Sequence, residues 1–151
     1  MAQRQFQFRL EALLEMRALV EKEKQRRVAA IQGEIQALVR QIQEANTQIG
    51  AENRSLSSRE LTGRLDMAYI AHEKKYVGNL QMRIVQAMQK IAVLEKTLAG
   101  ARAELLEAAR AKKVIEKLKE KQRTRWQMEQ DRKEAGLMDE IGTQLAVRGN
   151  S

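Results

Sequence analysis

Apolar residues recur along the first third of the chain in alternating steps of four and three. From Leu10 the series runs Leu14, Arg17, Glu21, Lys24, Val28, Ile31, Ile35, Leu38, Ile42, Ala45 and Ile49, and nine of these twelve positions are apolar. That spacing is the seam of a coiled coil, because it keeps one stripe of a slightly under-wound helix facing its partner. The three exceptions, Arg17, Glu21 and Lys24, are consecutive. Leu13, Met16 and Val20 offer a shifted stripe beside them, which predicts a local change in packing angle rather than charges held in the seam.

A second series scores better. Ile70, Glu73, Val77, Leu80, Ile84, Ala87, Ile91, Leu94, Leu98, Ala101, Leu105 and Ala108 contain eleven apolar positions of twelve. Between the two series, residues 51–62 (AENRSLSSRELT) break the pattern. Asn53, Ser55, Ser57 and Ser58 compete with the backbone for hydrogen bonds and suit a turn or a helix cap. The prediction is an all-α fold: a long antiparallel two-helix coiled coil with a C-terminal helical overhang. Helix one is expected over about 6–52, the tip over about 53–60, helix two over about 61–142 and a flexible tail over 143–151, all within a single domain of residues 1–151.

Folding the chain about residue 57 sets Leu10 opposite Ala103 or Glu104 and Leu14 opposite Ala99. Helix one then runs out near position 108 of helix two. Continued past that point, the second seam keeps only Ile115 and Trp126 as large apolar residues. Residues 113–140 should therefore project unpaired for roughly 40 Å at 1.5 Å per residue. A lone helix of that length is marginal in water, so it is expected either to fray or to bind.

Composition supports long helices. Aromatic residues make up 3% of the 151 residues, charged residues 32%, and proline is absent. A compact core of this size would normally recruit more aromatic area, and an interior proline would kink a helix. With no cysteine, disulfides and thiolate metal sites are excluded. No uncharged apolar run approaches the ~20 residues of a spanning helix. The opening MAQRQFQFRLEALLEMR lacks the h-region of a signal peptide. A cytoplasmic protein without direct membrane insertion is expected. The net charge of +8 favours anionic partners without choosing among them.

No catalytic constellation stands out, and the chain is read as a non-enzyme with no cofactor and no metal. His72 is the only histidine, which rules out a histidine-based triad or a multi-histidine metal site within one chain. No Walker-type phosphate loop occurs. The sharpest electrostatic feature is the run Lys112, Lys113, Lys117, Lys119, Lys121, Arg123 and Arg125. Its bland meaning is a solvated helix face. Nucleic acid would call for stacking aromatics, and only Trp126 is at hand. The remaining meaning is docking on an acidic protein surface, with Val114, Ile115, Leu118 and Trp126 as the apolar anchor. Leu137, Met138, Ile141 and Leu145 form a further small stripe at helical spacing.

Three segments together resemble a known family. They are Phe6-x-Phe8-x-Leu10-Glu11-x-Leu13-Leu14-x-x-Arg17, the later KVIEKLK of residues 113–119, and Lys133-Glu134-x-x-x-Met138-Asp139-Glu140. In order and spacing they look like the flagellar export protein FliJ family. The resemblance implies an antiparallel coiled coil similar to the central stalk of rotary ATPases. It further implies a stalk that inserts its paired ends into the hexameric export ATPase, binds the cytoplasmic part of a membrane export-gate protein and escorts export chaperones. Its place would be the cytoplasmic face of the inner-membrane export apparatus. Carried onto this sequence, the ATPase-facing end would include Phe6, Phe8, Leu10, Leu14, Leu118, Trp126, Met138, Asp139 and Glu140, and the gate-facing pair would be Tyr76 and Leu80. The competing expectations are the equivalent stalk of a virulence secretion system, a basic coiled coil that binds nucleic acid, and a self-associating scaffold.

Overall fold

A computed structural model describes residues 5–61 and 66–149. Two long helices pack against each other: α1, Glu11–Leu61, and α2, Met67–Gly149, with no strand among the described residues. The first turn of α1 opens with the Glu11 N–H donating to the Phe8 carbonyl at 3.2 Å, and the Glu11 carboxylate complements the helix dipole there. Asp66 caps α2: its Oδ1 accepts the Ala68 N–H at 3.1 Å, satisfying one of the orphan donors of a helix start.

Both helices run past the C-terminal ends expected from sequence, while α1 starts at Glu11 rather than near residue 6. Residues 53–60, taken as the tip, are the last turns of α1. Their Asn and Ser residues are overridden by tertiary contacts. Ser55 and Leu56 are half-buried, and the Arg59 guanidinium lies 3.8 Å from the centre of the Tyr69 ring, a cation–π contact. At the other end α2 continues through residues 143–149 of the expected tail. The expected start of helix two near residue 61 falls partly on residues 62–65, and residues 150 and 151 of the tail likewise lie outside the described residues.

The chain divides into two compact units, Glu23–Leu105 and a second made of Met1–Lys22 with Leu106–Ser151. In the first unit Ile31, Leu98 and Ala101 form the best-buried cluster, flanked by Val28, Ile35 and Leu94. All are seam positions, as are the buried Ala45, Leu80 and Ala87. Lys24 Nζ lies 3.1 Å from Glu104 Oε2, and Arg27 reaches the same oxygen at 3.7 Å. In the second unit Phe8 and Ile115 are the buried apolar residues.

Two expectations about the pairing are corrected here. The register is not centred on residue 57. Arg17 meets Ala111 and Lys24 meets Glu104, pairs centred on position 64, one heptad further along. A heptad pattern is blind to whole-heptad shifts, since each keeps apolar positions facing apolar positions. Nor do the three charged residues leave the seam. Arg17, Glu21 and Lys24 stay half-buried in the seam, while of the shifted stripe Met16 (61%) and Val20 (39%) are exposed and Leu13 is half-buried. Each seam charge has a partner on the other helix. Arg17 Nη1 donates to the Ala111 carbonyl at 2.7 Å, Glu21 meets Lys112 at 3.2 Å and Lys24 meets Glu104. Long stems pack in the seam while the charged heads reach its edge.

Candidate functional site

The new register brings the N-terminal segment alongside residues that were expected to project unpaired. Phe6 packs on Trp126 with ring centroids 6.0 Å apart and planes tilted by 52°, an arrangement favoured by the ring quadrupoles. Lys119 Nζ grips the Glu11 carboxylate at 2.8 and 3.0 Å. The stretch read as an overhang from residue 113 is thus paired at least as far as Trp126. Only beyond it, over residues 131–149, is α2 exposed at every position.

The sequence-derived ATPase-facing set therefore splits in two. Phe6, Phe8, Leu10, Leu14 and Trp126 are buried or half-buried in the pairing of the termini and hold the two chain ends together. Leu118, at 36% exposure, lies on the outer side of α2. Met138 (70% exposed), Asp139 and Glu140 are on the exposed end of α2, beside the stripe of Leu137, Ile141 and Leu145. Ile115, named with Val114, Leu118 and Trp126 as a docking anchor, is buried in the seam, and Trp126 is engaged by Phe6. Of that anchor, Val114 and Leu118 are left facing outward.

In the other unit the gate-facing pair also divides. Tyr76 is 39% exposed, and its hydroxyl donates to Gln48 Oε1 across the helices at 3.4 Å. Leu80 is 3% exposed and belongs to the seam, where it backs the turn carrying Tyr76 without offering its own side chain.

Nearby is a feature that seam counting passed over. Glu73, the one polar member of the second seam, is buried to 9% exposure, and its Oε2 has no hydrogen-bond partner among the described residues. Glu52 faces it. A side-chain hydrogen bond with Glu73, then burial and the Glu73 charge, hold the Glu52 carboxyl above the usual carboxylate range, opposed by Arg59. The signal was legible as an acid at a seam position, but its acidic partner became visible only once the register was known. The opposite case is Glu104, held below the usual range by its hydrogen bond to Lys24 and the charges of Lys24 and Arg27.

Among the described residues no group of three or more potential metal ligands occurs, and no helix is long and apolar enough to cross a membrane. What the termini present is a paired two-helix end from which one helix extends with an exposed mixed apolar and charged surface. Comparison with curated proteins and with solved structures gives no match. The family model described as Flagellar FliJ protein matches residues 6–151, from the aromatic pair at the N-terminus through the exposed end of α2. A two-helix coiled coil matched over nearly its whole length places this chain in the FliJ family, a non-catalytic component of flagellum biogenesis and type III protein export.

Proposed function

We propose that the chain is the stalk of the flagellar export ATPase. It binds the hexameric enzyme through the paired termini and the free end of α2 and stimulates it. The observation that carries this reading is the exposure of α2 at every position from 131 to 149 beyond the last paired aromatic, Trp126. Leu137, Met138, Ile141 and Leu145 are exposed there at helical spacing, which is how a helix offers itself to a groove or pore in another protein. A two-helix end has no sixfold symmetry. Inside a sixfold ring it contacts the subunits unequally and so biases their conformations, favouring ring assembly and turnover.

The gate-facing contact is assigned to Tyr76, backed by the buried Leu80, and the chain also escorts export chaperones. It works in the cytoplasm, at the face of the membrane that carries the gate. In the deciding experiment, wild type and M138A/D139A/E140A are added to the cognate export ATPase, and hydrolysis and hexamer formation are measured together. The expected result is stimulation by wild type and its loss in the variant, with helical circular dichroism unchanged. Equal stimulation by both would remove the free end of α2 from the contact.

A further inference from the structure

The unit formed by the termini sorts its charges by side. From Arg110, the positions 114, 117, 121, 125, 128 and 132 follow at steps of four and three. They stay on one line of the helix surface, and every one is exposed. Five of the seven are cations: Arg110, Lys117, Lys121, Arg125 and Arg132. The other two are Val114 and Met128, with Leu118 alongside. No Asp or Glu stands in the row. None of the five cations has an ion pair among the described residues. Like charges one turn apart repel and weaken a helix, so the row is a cost to the folded chain on its own. Of the acids of the same stretch, Glu116 and Glu120 project from another side of α2, where Glu116 is held by Lys112, while Glu129 and Asp131 flank the last turns of the row and Glu107 precedes its first.

The row stands beside an apolar flank. Met16 and Val20, the exposed members of the unused stripe of α1, lie on the flank from which Arg17 reaches the Ala111 carbonyl. In an antiparallel pair that flank adjoins the one carrying Val114 and Leu118. The flank thus carries exposed apolar residues of both helices, with the cations on the outer side of α2.

We infer that this flank of the terminal unit binds an acidic amphipathic helix of a partner protein, laid along α1 and α2 as a third strand. A partner helix of about 20 residues would cover the row, which is about 33 Å long. Ridge-into-groove packing supplies the apolar contact, and a row of carboxylates at its edge meets the cations. A membrane surface fits less well, because an interfacial helix needs a broader bulky face than Val, Leu and Met provide here. Nucleic acid would need a stacking aromatic, and Trp126 is occupied by Phe6. All of the row but Arg132 precedes the free end of α2, whose variant tests the ATPase reading, so the two contacts are tested by different substitutions.

The test uses the full-length protein and a fluorescent 22-residue peptide with Leu at helical spacing flanked by Glu. Binding is followed by anisotropy and by the gain in helical circular dichroism. K117E/K121E/R125E is expected to weaken binding at least about tenfold. K74E/K75E/K90E, the same net-charge change on the other unit, is expected to leave it within about twofold. A peptide with Lys in place of Glu should prefer K117E/K121E/R125E. Equal losses in the two variants would reduce the effect to net charge and overturn the assignment. So would equal binding of a scrambled peptide, or tighter binding to phosphatidylglycerol vesicles or duplex DNA through the same residues. A dimer of the protein alone that K117E/K121E/R125E dissolves would make a second copy the occupant and equally overturn it.

Discussion

Replacing Arg17, Glu21 and Lys24 together by leucine should stabilise the protein. All three are half-buried seam positions, so each leucine places a half-buried apolar side chain where a charged one now packs only its stem. Full burial of leucine contributes about 1.5–3 kcal/mol, and half of that gives about 1 kcal/mol per site. The interactions given up are the Arg17 bond to the Ala111 carbonyl and the ion pairs to Lys112 and Glu104. Their partners sit at the edge of the seam and can rehydrate, so the loss is small. Leu, Arg, Glu and Lys have similar helix propensities, which leaves the backbone contribution unchanged. A net gain of about 2 kcal/mol is expected, or about 5 °C in Tm for a chain of this size. Urea unfolding followed at the helical circular dichroism band measures it. The chain has no native cysteine, so engineered pairs report the register cleanly. I31C/L98C should cross-link in the variant as in the wild type, since Ile31 packs on Leu98. I31C/I84C, the pair of a hairpin centred on residue 57, should not. A variant that is less stable with the register intact would refute the reasoning, because the seam charges would then outweigh leucine burial.

Glu73→Leu should add about 2 kcal/mol at neutral pH, by burying leucine where a carboxylate has an unpartnered oxygen, as read by urea unfolding. Because the Glu52 pKa is raised in the folded state, its contribution is fully present below about pH 4.5 and is lost as pH rises through the raised value. Thermal melts of Glu73→Gln across that range should show this segment of the pH profile flattened. Glu104 has the opposite sign: its depressed pKa gives a contribution present above about pH 4.5 and lost on further acidification, which Glu104→Gln should remove. Gly33→Ala, Gly78→Ala and Gly100→Ala meet no atom within 4 Å of the added Cβ and should each stabilise by about 1 kcal/mol in the same unfolding assay. Trp126→Ala should release the N-terminal segment from Phe6, read as faster amide exchange over residues 11–20 while the exchange of residues 28–38 is unchanged.

The sequence by itself determined the helical class, the two seams and the antiparallel pairing, because burial of a heptad stripe repeats so regularly that local pattern and final structure agree. It also carried the family resemblance in Phe6, Phe8 and the Met138–Glu140 segment. The tertiary structure decided the register. Shifting the pairing by whole heptads keeps seam facing seam, so the choice rests on contacts between residues about a hundred positions apart: Phe6 on Trp126, Glu11 on Lys119, Arg17 on Ala111. A centre at 57 would leave Ile115 and Trp126 in water, and a centre at 64 buries the first and half-buries the second. The same choice kept residues 53–60 helical against their local turn preference and set Glu52 against Glu73. It also turned the cationic row of α2 from part of a projecting helix into the outer face of a paired two-helix unit. Periodicity fixes which face of each helix is buried, but only contacts across the pair fix how far one helix slides along the other.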